Sequence, residues 1–381
     1  MMENNVETIN TCHQYDVMIN NVTNIIKSMN FYNKMCIDSK YLGLSFEQYV
    51  FKKFRKVKII NCYSNSELGN NIIDNLGIKS VDCDLGFFSD NSPNVVIKEN
   101  IRNSHIFILQ TGSNIKHSIN DYLEQLLAII DACKRSGSKT ITTIIPYYPN
   151  SRSDKREFSH VPIMAKTTTQ ILENVGVDRI ITFDLHSGQI QGFGNKQIEN
   201  LYAKPLIVSY LQNMLFNKMT NEIINQNYVL VSPDAGGYKR VYSYSETLNI
   251  NNVIMHKERD YTIPNHVNKS VIVGQIIVTN KICILLDDMI DTAGTLISSV
   301  NELITAGAKE VIPIATHGVF SGLAIDRINS CPYINRVIVT NTLPQTQNKS
   351  KCTKDLIVLD LSSIISKAII GIIFGENIID R

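Results

Sequence analysis

The chain has almost no net charge. Lys and Arg number 37 against 35 Asp and Glu, which leaves +2 at neutral pH in 381 residues, so no global potential draws it to nucleic acid or an anionic membrane, and neither partner is expected. It also lacks long apolar runs. Apolar stretches such as 276–278 and 282–286 fall far short of the roughly 18–20 residues that cross a bilayer. Cysteines are present but unpaired in spacing: Cys12, Cys36, Cys62, Cys83, Cys133, Cys283, Cys331 and Cys352 form no Cys-x-x-Cys, which argues against a disulfide framework and predicts reduced thiols. There is no Gly-x-x-x-x-Gly-Lys-Ser/Thr loop, and Gly192-Phe193-Gly194 runs into Asn195-Lys196-Gln197 without completing a dinucleotide fingerprint. A bound nucleotide is therefore held in neither the Walker nor the Rossmann manner. The opening Met-Met-Glu-Asn-Asn, with Glu3, Glu7 and Asp16, matches no signal or transit pattern, so the expected location is cytoplasmic and the Asn21-Val22-Thr23 sequon is expected to be unused.

Residues 1–56 are rich in Asn and carry the basic cluster Lys52-Lys53-Phe54-Arg55-Lys56. They read as an extension, a solvated and partly ordered arm. From Val57 onward short β-branched runs alternate with helical periodicity, the pattern of α/β architecture. Strands are predicted at 106–110, 140–145, 179–183, 228–231, 253–256, 282–286, 311–315, 336–339 and 356–359. Leu123, Leu126, Leu127 and Ile130 fall at helical spacing within 118–135, with Gly137 placed to stop the helix, and 296–306 repeats the arrangement before Gly307. So many strands exceed one small sheet, and a break near 202–205 divides them into two lobes. The predicted organisation is an extension at 1–56, α/β domains at 57–204 and 205–360, and a C-terminal helix at 361–381 packing back on the N-terminal domain.

Five strand-to-loop junctions carry chemistry. After the apolar strand 282–286 come Asp287, Asp288, Asp291, Thr292, Ala293, Gly294 and Thr295. The hydroxyls and backbone N–H groups of this turn, at a helix N-terminus, suit a phosphate dianion. Asp287 and Asp288 would repel that phosphate and instead suit sugar hydroxyls or a metal ion. A second junction, Asp234-Ala235-Gly236-Gly237 followed by Lys239 and Arg240, combines an anion nest with positive charge, and its acid points to Mg²⁺. The third places His186 after a strand, where a lone histidine is more often structural than metal-binding or catalytic. The fourth is the charged run Arg152-Ser153-Asp154-Lys155-Arg156, and the fifth is Lys257 and Arg259, two residues apart and facing one way if extended. Ligands of open α/β sheets bind beyond the carboxyl ends of strands, where all five junctions lie. Together they point to a phosphorylated sugar plus a polyphosphate.

From Lys58 to the C-terminus these residues resemble the class I ribose-phosphate diphosphokinases, also called phosphoribosyl pyrophosphate synthetases. Besides the loops at 287–295 and 232–237, the likeness includes Asp184-Leu185-His186 with 189–193, His256-Lys257-Glu258-Arg259, Thr316-His317-Gly318-Val319-Phe320-Ser321-Gly322 and Asn341-Thr342-Leu343-Pro344-Gln345. The resemblance implies an α/β fold of two phosphoribosyltransferase-like lobes, each a mostly parallel sheet flanked by helices. It implies transfer of a diphosphoryl group from MgATP to ribose 5-phosphate, releasing AMP. In that picture Asp291 to Thr295 hold the 5-phosphate, Asp287 and Asp288 meet the ribose hydroxyls, and Asp234 to Gly237 cradle the transferred pyrophosphate. Mg²⁺ lies at His186 and Asp234, and Arg152, Asp154 and Lys155 lie along ATP. Phe88 and Asp90 reach the adenine from a neighbouring subunit of a dimer-based homo-oligomer, up to a hexamer. Lys257 and Arg259, with His186, are the catalytic residues.

The chain departs from the family at Asp90-Asn91-Ser92, where Asn-Gln-Glu or Asp-Gly-Glu is usual, at Ser153 in place of Gln, and at His160 in place of a common Arg. All three departures fall on the nucleotide and allosteric side. Two other readings compete: a catalytically silent subunit resembling the synthetase-associated proteins, and a phosphoribosyltransferase, which shares the 287–295 type of loop but is usually a single lobe.

Overall fold

The computed structural model describes the backbone of residues 2–112, 117–259, 267–273 and 277–377, and the side chains of 15–112, 117–256, 272–273 and 277–377. It divides into two compact units, Met1–Leu201 with Asp360–Arg381, and Tyr202–Leu359.

In the first unit the strands are β1 (Val57–Asn61), β2 (Cys83–Phe87), β3 (Pro93–Ile97), β4 (His105–Leu109), β5 (Thr140–Ile144), β6 (Arg179–Phe183) and β7 (Gln197–Leu201). A five-stranded sheet runs β1-β4-β5-β6-β7, every pairing parallel, while β2 and β3 form a separate antiparallel hairpin. The near-continuous burial of Ile106, Phe107, Ile108 and Leu109, and of Ile180, Ile181 and Phe183, is what a parallel sheet covered on both faces requires. Helix Ile119–Arg135 begins at a capping box in which Ser118 and Asp121 satisfy each other's backbone N–H groups. It buries Tyr122, Leu126, Ile129, Ile130 and Cys133 along one face, and Gly137 follows at a φ of 76°.

Residues 1–56 are not a solvated arm. They form helices Met2–Lys27, Tyr32–Tyr41 and Phe46–Phe54, which contact helices Ser66–Leu76 and Ser362–Phe374. Met18, Val22 and Ile26 repeat every fourth residue and are buried with Met35, Tyr49, Val50 and Phe54, an apolar stripe diluted in sequence by the Asn-rich outer face. Tyr49 lies 5.7 Å from Phe374 between ring centres, and Lys34 pairs with Glu376. Asn21 of the sequon donates its amide to the Asp74 carbonyl at 3.0 Å, so it is engaged inside this packing.

In the second unit the strands are β8 (Tyr228–Ser232), β9 (Asn252–Arg259), β10 (Val267–Val273), β11 (Ile282–Ile290), β12 (Glu310–Gly318), β13 (Arg336–Thr340) and β14 (Asp355–Leu359). They form one sheet, β10-β9-β8-β11-β12-β13-β14, parallel except for β10 against β9. Val229, Val231, Leu285, Val300, Leu303, Val311, Val337 and Val339 make its buried core. From β8 the chain moves outward to β9 and β10, then returns to the other side of β8 for β11 to β14. The reversal leaves a crevice at the carboxyl ends of β8 and β11.

The seven cysteines with described side chains are free thiols. Burial pushes the Cys83 thiol up to about 11 and the Cys133 thiol up to about 12, which keeps both protonated and unreactive at neutral pH. Among the described residues no helix is long and apolar enough to cross a membrane.

Candidate active site

The crevice of the second unit is edged by two loops. After β8, Ser232 donates its hydroxyl to the Asp234 carbonyl at 2.7 Å and Asp234 Oδ1 accepts the Gly237 N–H at 2.8 Å. The latter bond closes the turn that leads into helix Tyr238–Leu248, whose N-cap, Gly237, has no side-chain cap of its own. A side chain at 237 would bring a Cβ within 3.1 Å of Ser232 Oγ, so glycine keeps this turn tight. Asp234, Ala235 and Gly236 remain exposed, their backbone open to a ligand.

After β11 the picture differs in one respect from the sequence reading. The strand does not end at Leu286 but continues through Asp287 and Asp288 to Ile290, paired with β12 as far as Gly318. The Asp288 N–H donates to Asp287 Oδ1 at 2.8 Å, drawing the two acids together. Desolvation raises the Asp287 carboxyl well above the usual carboxylate range and the Asp288 carboxylate raises it further, while Arg240 pulls the other way. Because 40 % of the Asp287 side chain meets solvent, water moderates the first of these causes. Arg240 Nη1 stands 3.9 Å from Asp287 Oδ1, joining the helix that follows the first loop to the acid pair that precedes the second.

Ala293 takes a left-handed conformation at φ 59°, and helix Gly294–Thr305 starts immediately after it with no side-chain cap. The first N–H groups of a helix have no intrahelical acceptor, so those of Gly294, Thr295 and Leu296 face an anion-compatible space. Thr292, Gly294 and Thr295 are exposed there. Arg327 Nη1 donates to the Thr292 carbonyl at 2.6 Å. It brings to the loop a cation that carries no sequence signal, since its helix, Ala324–Ser330, is a remote segment linked to the loop only by folding.

In the first unit the loops leave adjacent strands β5 and β6. Asp184, buried at φ 36°, donates its N–H to the Leu201 carbonyl at 2.9 Å, and the Leu185 N–H donates to Asn200 Oδ1 at 3.0 Å. The end of β7 thus shapes the turn that leaves His186 exposed. Arg152 and Lys155 are exposed and Asp154 is half-buried, with Lys155 Nζ 3.1 Å from Glu157 Oε1. Ser153 donates its hydroxyl to the Pro162 carbonyl at 3.1 Å, accepts the Met164 N–H at 3.1 Å, and so ties the two ends of the 153–164 loop. Its departure from glutamine therefore has a structural use.

At the tip of the β2–β3 hairpin Phe88 is 56 % exposed, far more than the core would leave it, while its N–H donates to the Ser92 carbonyl at 2.8 Å. Asp90 Oδ1 accepts both the Ser92 N–H at 3.0 Å and the Ser92 hydroxyl at 2.6 Å. These bonds hold the Asp90 carboxyl below its ordinary value.

Asp234 to Gly237 and Asp287 to Thr295 lie at the ends of adjacent strands of one unit; in the other, Arg152 to Lys155 and His186 follow adjacent strands β5 and β6, while Phe88 and Asp90 lie on the separate β2–β3 hairpin. The backbone of Lys257 and Arg259 lies in β9, beside β8; their side chains lie outside the described residues.

Known proteins show the same arrangement of sequence. Residues 57–176 match the N-terminal domain of ribose phosphate pyrophosphokinase, and residues 258–379 match the phosphoribosyl synthetase-associated domain. The chain is 38 % identical over 322 residues to ribose-phosphate pyrophosphokinase 4 of Saccharomyces cerevisiae, covering 84 % of this chain and 93 % of that one. Its fold is similar to the crystal structure of phosphoribosylpyrophosphate synthetase from Mycobacterium smegmatis, with a TM-score of 0.74 and 32 % identity, over 84 % of this chain and 99 % of that one. With matching sequence and matching fold, the chain belongs to the ribose-phosphate pyrophosphokinase family.

Proposed function

We propose that the protein transfers the diphosphoryl group of ATP to the C1 hydroxyl of ribose 5-phosphate, giving 5-phosphoribosyl 1-pyrophosphate and AMP for nucleotide biosynthesis. The observation that carries the reading is the pair of anion-compatible loops leaving adjacent strands β8 and β11, tied by Arg240 and Asp287.

The sugar oxygen attacks the β-phosphorus of ATP, the bond from that phosphorus to the α,β-bridging oxygen breaks, AMP leaves with the bridging oxygen, and the hydroxyl proton is released. Positioning and charge neutralisation do most of the work in such transfers. The helix N-terminus at 294 and the hydroxyls of Thr292 and Thr295 hold the 5-phosphate, which orients C1, while Asp287 and Asp288 accept hydrogen bonds from ribose hydroxyls. The loop 234–237 cradles the moving diphosphoryl group with the backbone N–H groups of Asp234, Ala235 and Gly236, that of Gly237 being held by Asp234 Oδ1. Arg152, Asp154 and Lys155 hold the triphosphate, and Phe88 and Asp90 take the adenine, donated across subunits of a homo-oligomer. Lys257 and Arg259 neutralise charge as it shifts to the leaving AMP, a contribution on the order of several kcal/mol.

The family implies Mg²⁺. The donor set suits it: Asp234 offers an exposed carboxylate with one oxygen on Gly237, His186 is exposed, and this ion takes one or two protein ligands with phosphate oxygens completing its shell. When bound with ATP it supplies neutralisation of the phosphate oxygens.

Purified protein given ATP, Mg²⁺ and ribose 5-phosphate is expected to form AMP in amounts that depend on the sugar. No AMP above background overturns the reading, and pyrophosphate release that requires an added nucleobase assigns the chain to the transferases instead. A silent subunit is not favoured, because the loops after β8 and β11 keep their acids, glycines and threonines.

A further inference from the structure

Behind the ribose-phosphate loop, the ends of β12 and β13 carry polar side chains to which no role has been given. Thr316, His317, Thr340, Thr342 and Gln345 are each at most 4 % exposed. Burial of so many polar groups is costly unless each is hydrogen-bonded, and here their bonds converge on one short segment. Thr340 Oγ1 donates to the Thr316 carbonyl at 2.7 Å and Thr342 Oγ1 donates to the same carbonyl at 3.3 Å. Gln345 Nε2 donates to the Gly318 carbonyl at 2.6 Å. His317 Nδ1 lies 3.1 Å from Thr342 Oγ1. One proton joins these two atoms, carried by the ring or by the hydroxyl according to the tautomer.

The segment clamped in this way is the one that grips the start of the loop. His317 and Gly318 stand in register with Met289 and Ile290. The N–H groups of Val319 and Phe320 both donate to the Ile290 carbonyl, at 2.9 and 3.0 Å, and the Ser321 N–H donates to the Asp291 carbonyl at 3.1 Å. Gly318 leaves no room for a side chain: a Cβ there would stand 2.6 Å from the Phe320 ring and 3.0 Å from Gln345 Nε2. Phe320 holds a left-handed φ of 50°, a conformation disfavoured for an aromatic residue and maintained by its burial in the core of the unit.

We propose that Thr342, with His317 and Gln345, is a positioning element for ribose 5-phosphate. It touches no substrate. It fixes segment 316–321, which fixes the Ile290 and Asp291 carbonyls from which the phosphate-binding turn departs. The inference rests on the reading of 291–295 as the phosphate loop.

The test is calorimetric titration of the full chain with ribose 5-phosphate, together with the KM for each substrate. Thr342→Val keeps the shape and removes the hydroxyl, while Thr342→Ser retains it. A loop displaced by a fraction of an ångström binds at least about tenfold more weakly, so Thr342→Val should lose that much ribose 5-phosphate affinity while Thr342→Ser stays within about threefold of the parent and the KM for ATP moves by less than about twofold. A purely structural role would lower the denaturation midpoint of Thr342→Val and leave the affinity of the folded protein unchanged, and that result overturns the proposal. Should Thr342→Val fail to fold, Gln345→Met releases the same segment at Gly318 and is expected to show the same loss, with unchanged affinity again overturning the proposal. A parent chain that does not bind ribose 5-phosphate overturns the loop assignment and this inference with it. Parent binding matched by Thr342→Val overturns this inference alone.

Discussion

Arg240 Nη1 and Asp287 Oδ1 lie 3.9 Å apart, each on the edge of a different loop, and both are partly shielded, at 23 % and 40 % side-chain exposure. In the proposed reaction the guanidinium would offset the negative charge of the acid pair, so that a carboxylate could serve sugar hydroxyls beside bound phosphate groups.

Replacing the cation tests that relation. Arg240→Gln is expected to raise the KM for ribose 5-phosphate about tenfold, a loss near 1.4 kcal/mol, since Asp287 then faces Asp288 without compensation. Steady-state kinetics at fixed ATP measure it, and an unchanged KM would detach Arg240 from the sugar site.

A stability consequence follows from the raised Asp287 carboxyl. The folded protein binds this proton more tightly than the unfolded chain, so stability falls as pH rises through the unfolded value near 3.9 and the penalty is complete only above the folded one. Asp287→Asn removes the penalty. The variant is expected to be more stable than the parent at pH 7 to 8 by up to about 1 kcal/mol, limited by solvent screening of a part-exposed group, and no more stable near pH 3. It should also bind ribose 5-phosphate more weakly. Urea denaturation at the two pH values decides the first point, and equal stability at pH 8 would contradict it.

Phe54 is fully buried in the N-terminal helical module. Phe54→Ala is expected to cost about 3–5 kcal/mol of unfolding free energy, the usual range for an aromatic removed from a core. A loss below about 1 kcal/mol in denaturant titration would mean that the module does not share the core of its unit.

The same module shows what was hidden in the sequence. Val22 and Ile26 are spaced for a helix, but the surrounding Asn residues dilute the apolar stripe, and its partners, Phe374 and the helix Ser66–Leu76, are remote along the chain. The strands near the sites were legible because buried parallel strands such as 282–286 and 311–315 read as unbroken apolar runs. The edge strands β1 and β7 and the β2–β3 hairpin were not, since Lys58, Glu199, Asp84 and Gly86 interrupt any run. Of the candidate site, the loop residues could be read from composition because acids, glycines and threonines cluster at strand ends. Arg327 and the Thr342 network could not, because their relation to the loop is made only by folding.

Lys257 and Arg259 lie in a strand beside β8, and their proposed role is confined to the transition state. Lys257→Ala is therefore expected to lower kcat by at least about 10²-fold while ribose 5-phosphate binding stays within about twofold. Unchanged turnover would remove Lys257 from the chemistry.

The central claim concerns which bond of ATP breaks, and β-labelled ATP tests it most directly. Incubated with Mg²⁺ and ribose 5-phosphate, the label should move to the sugar product in amounts equal to the AMP formed, and no label should move when the sugar is omitted. Label retained in ADP, or released as pyrophosphate without the sugar, would contradict the account.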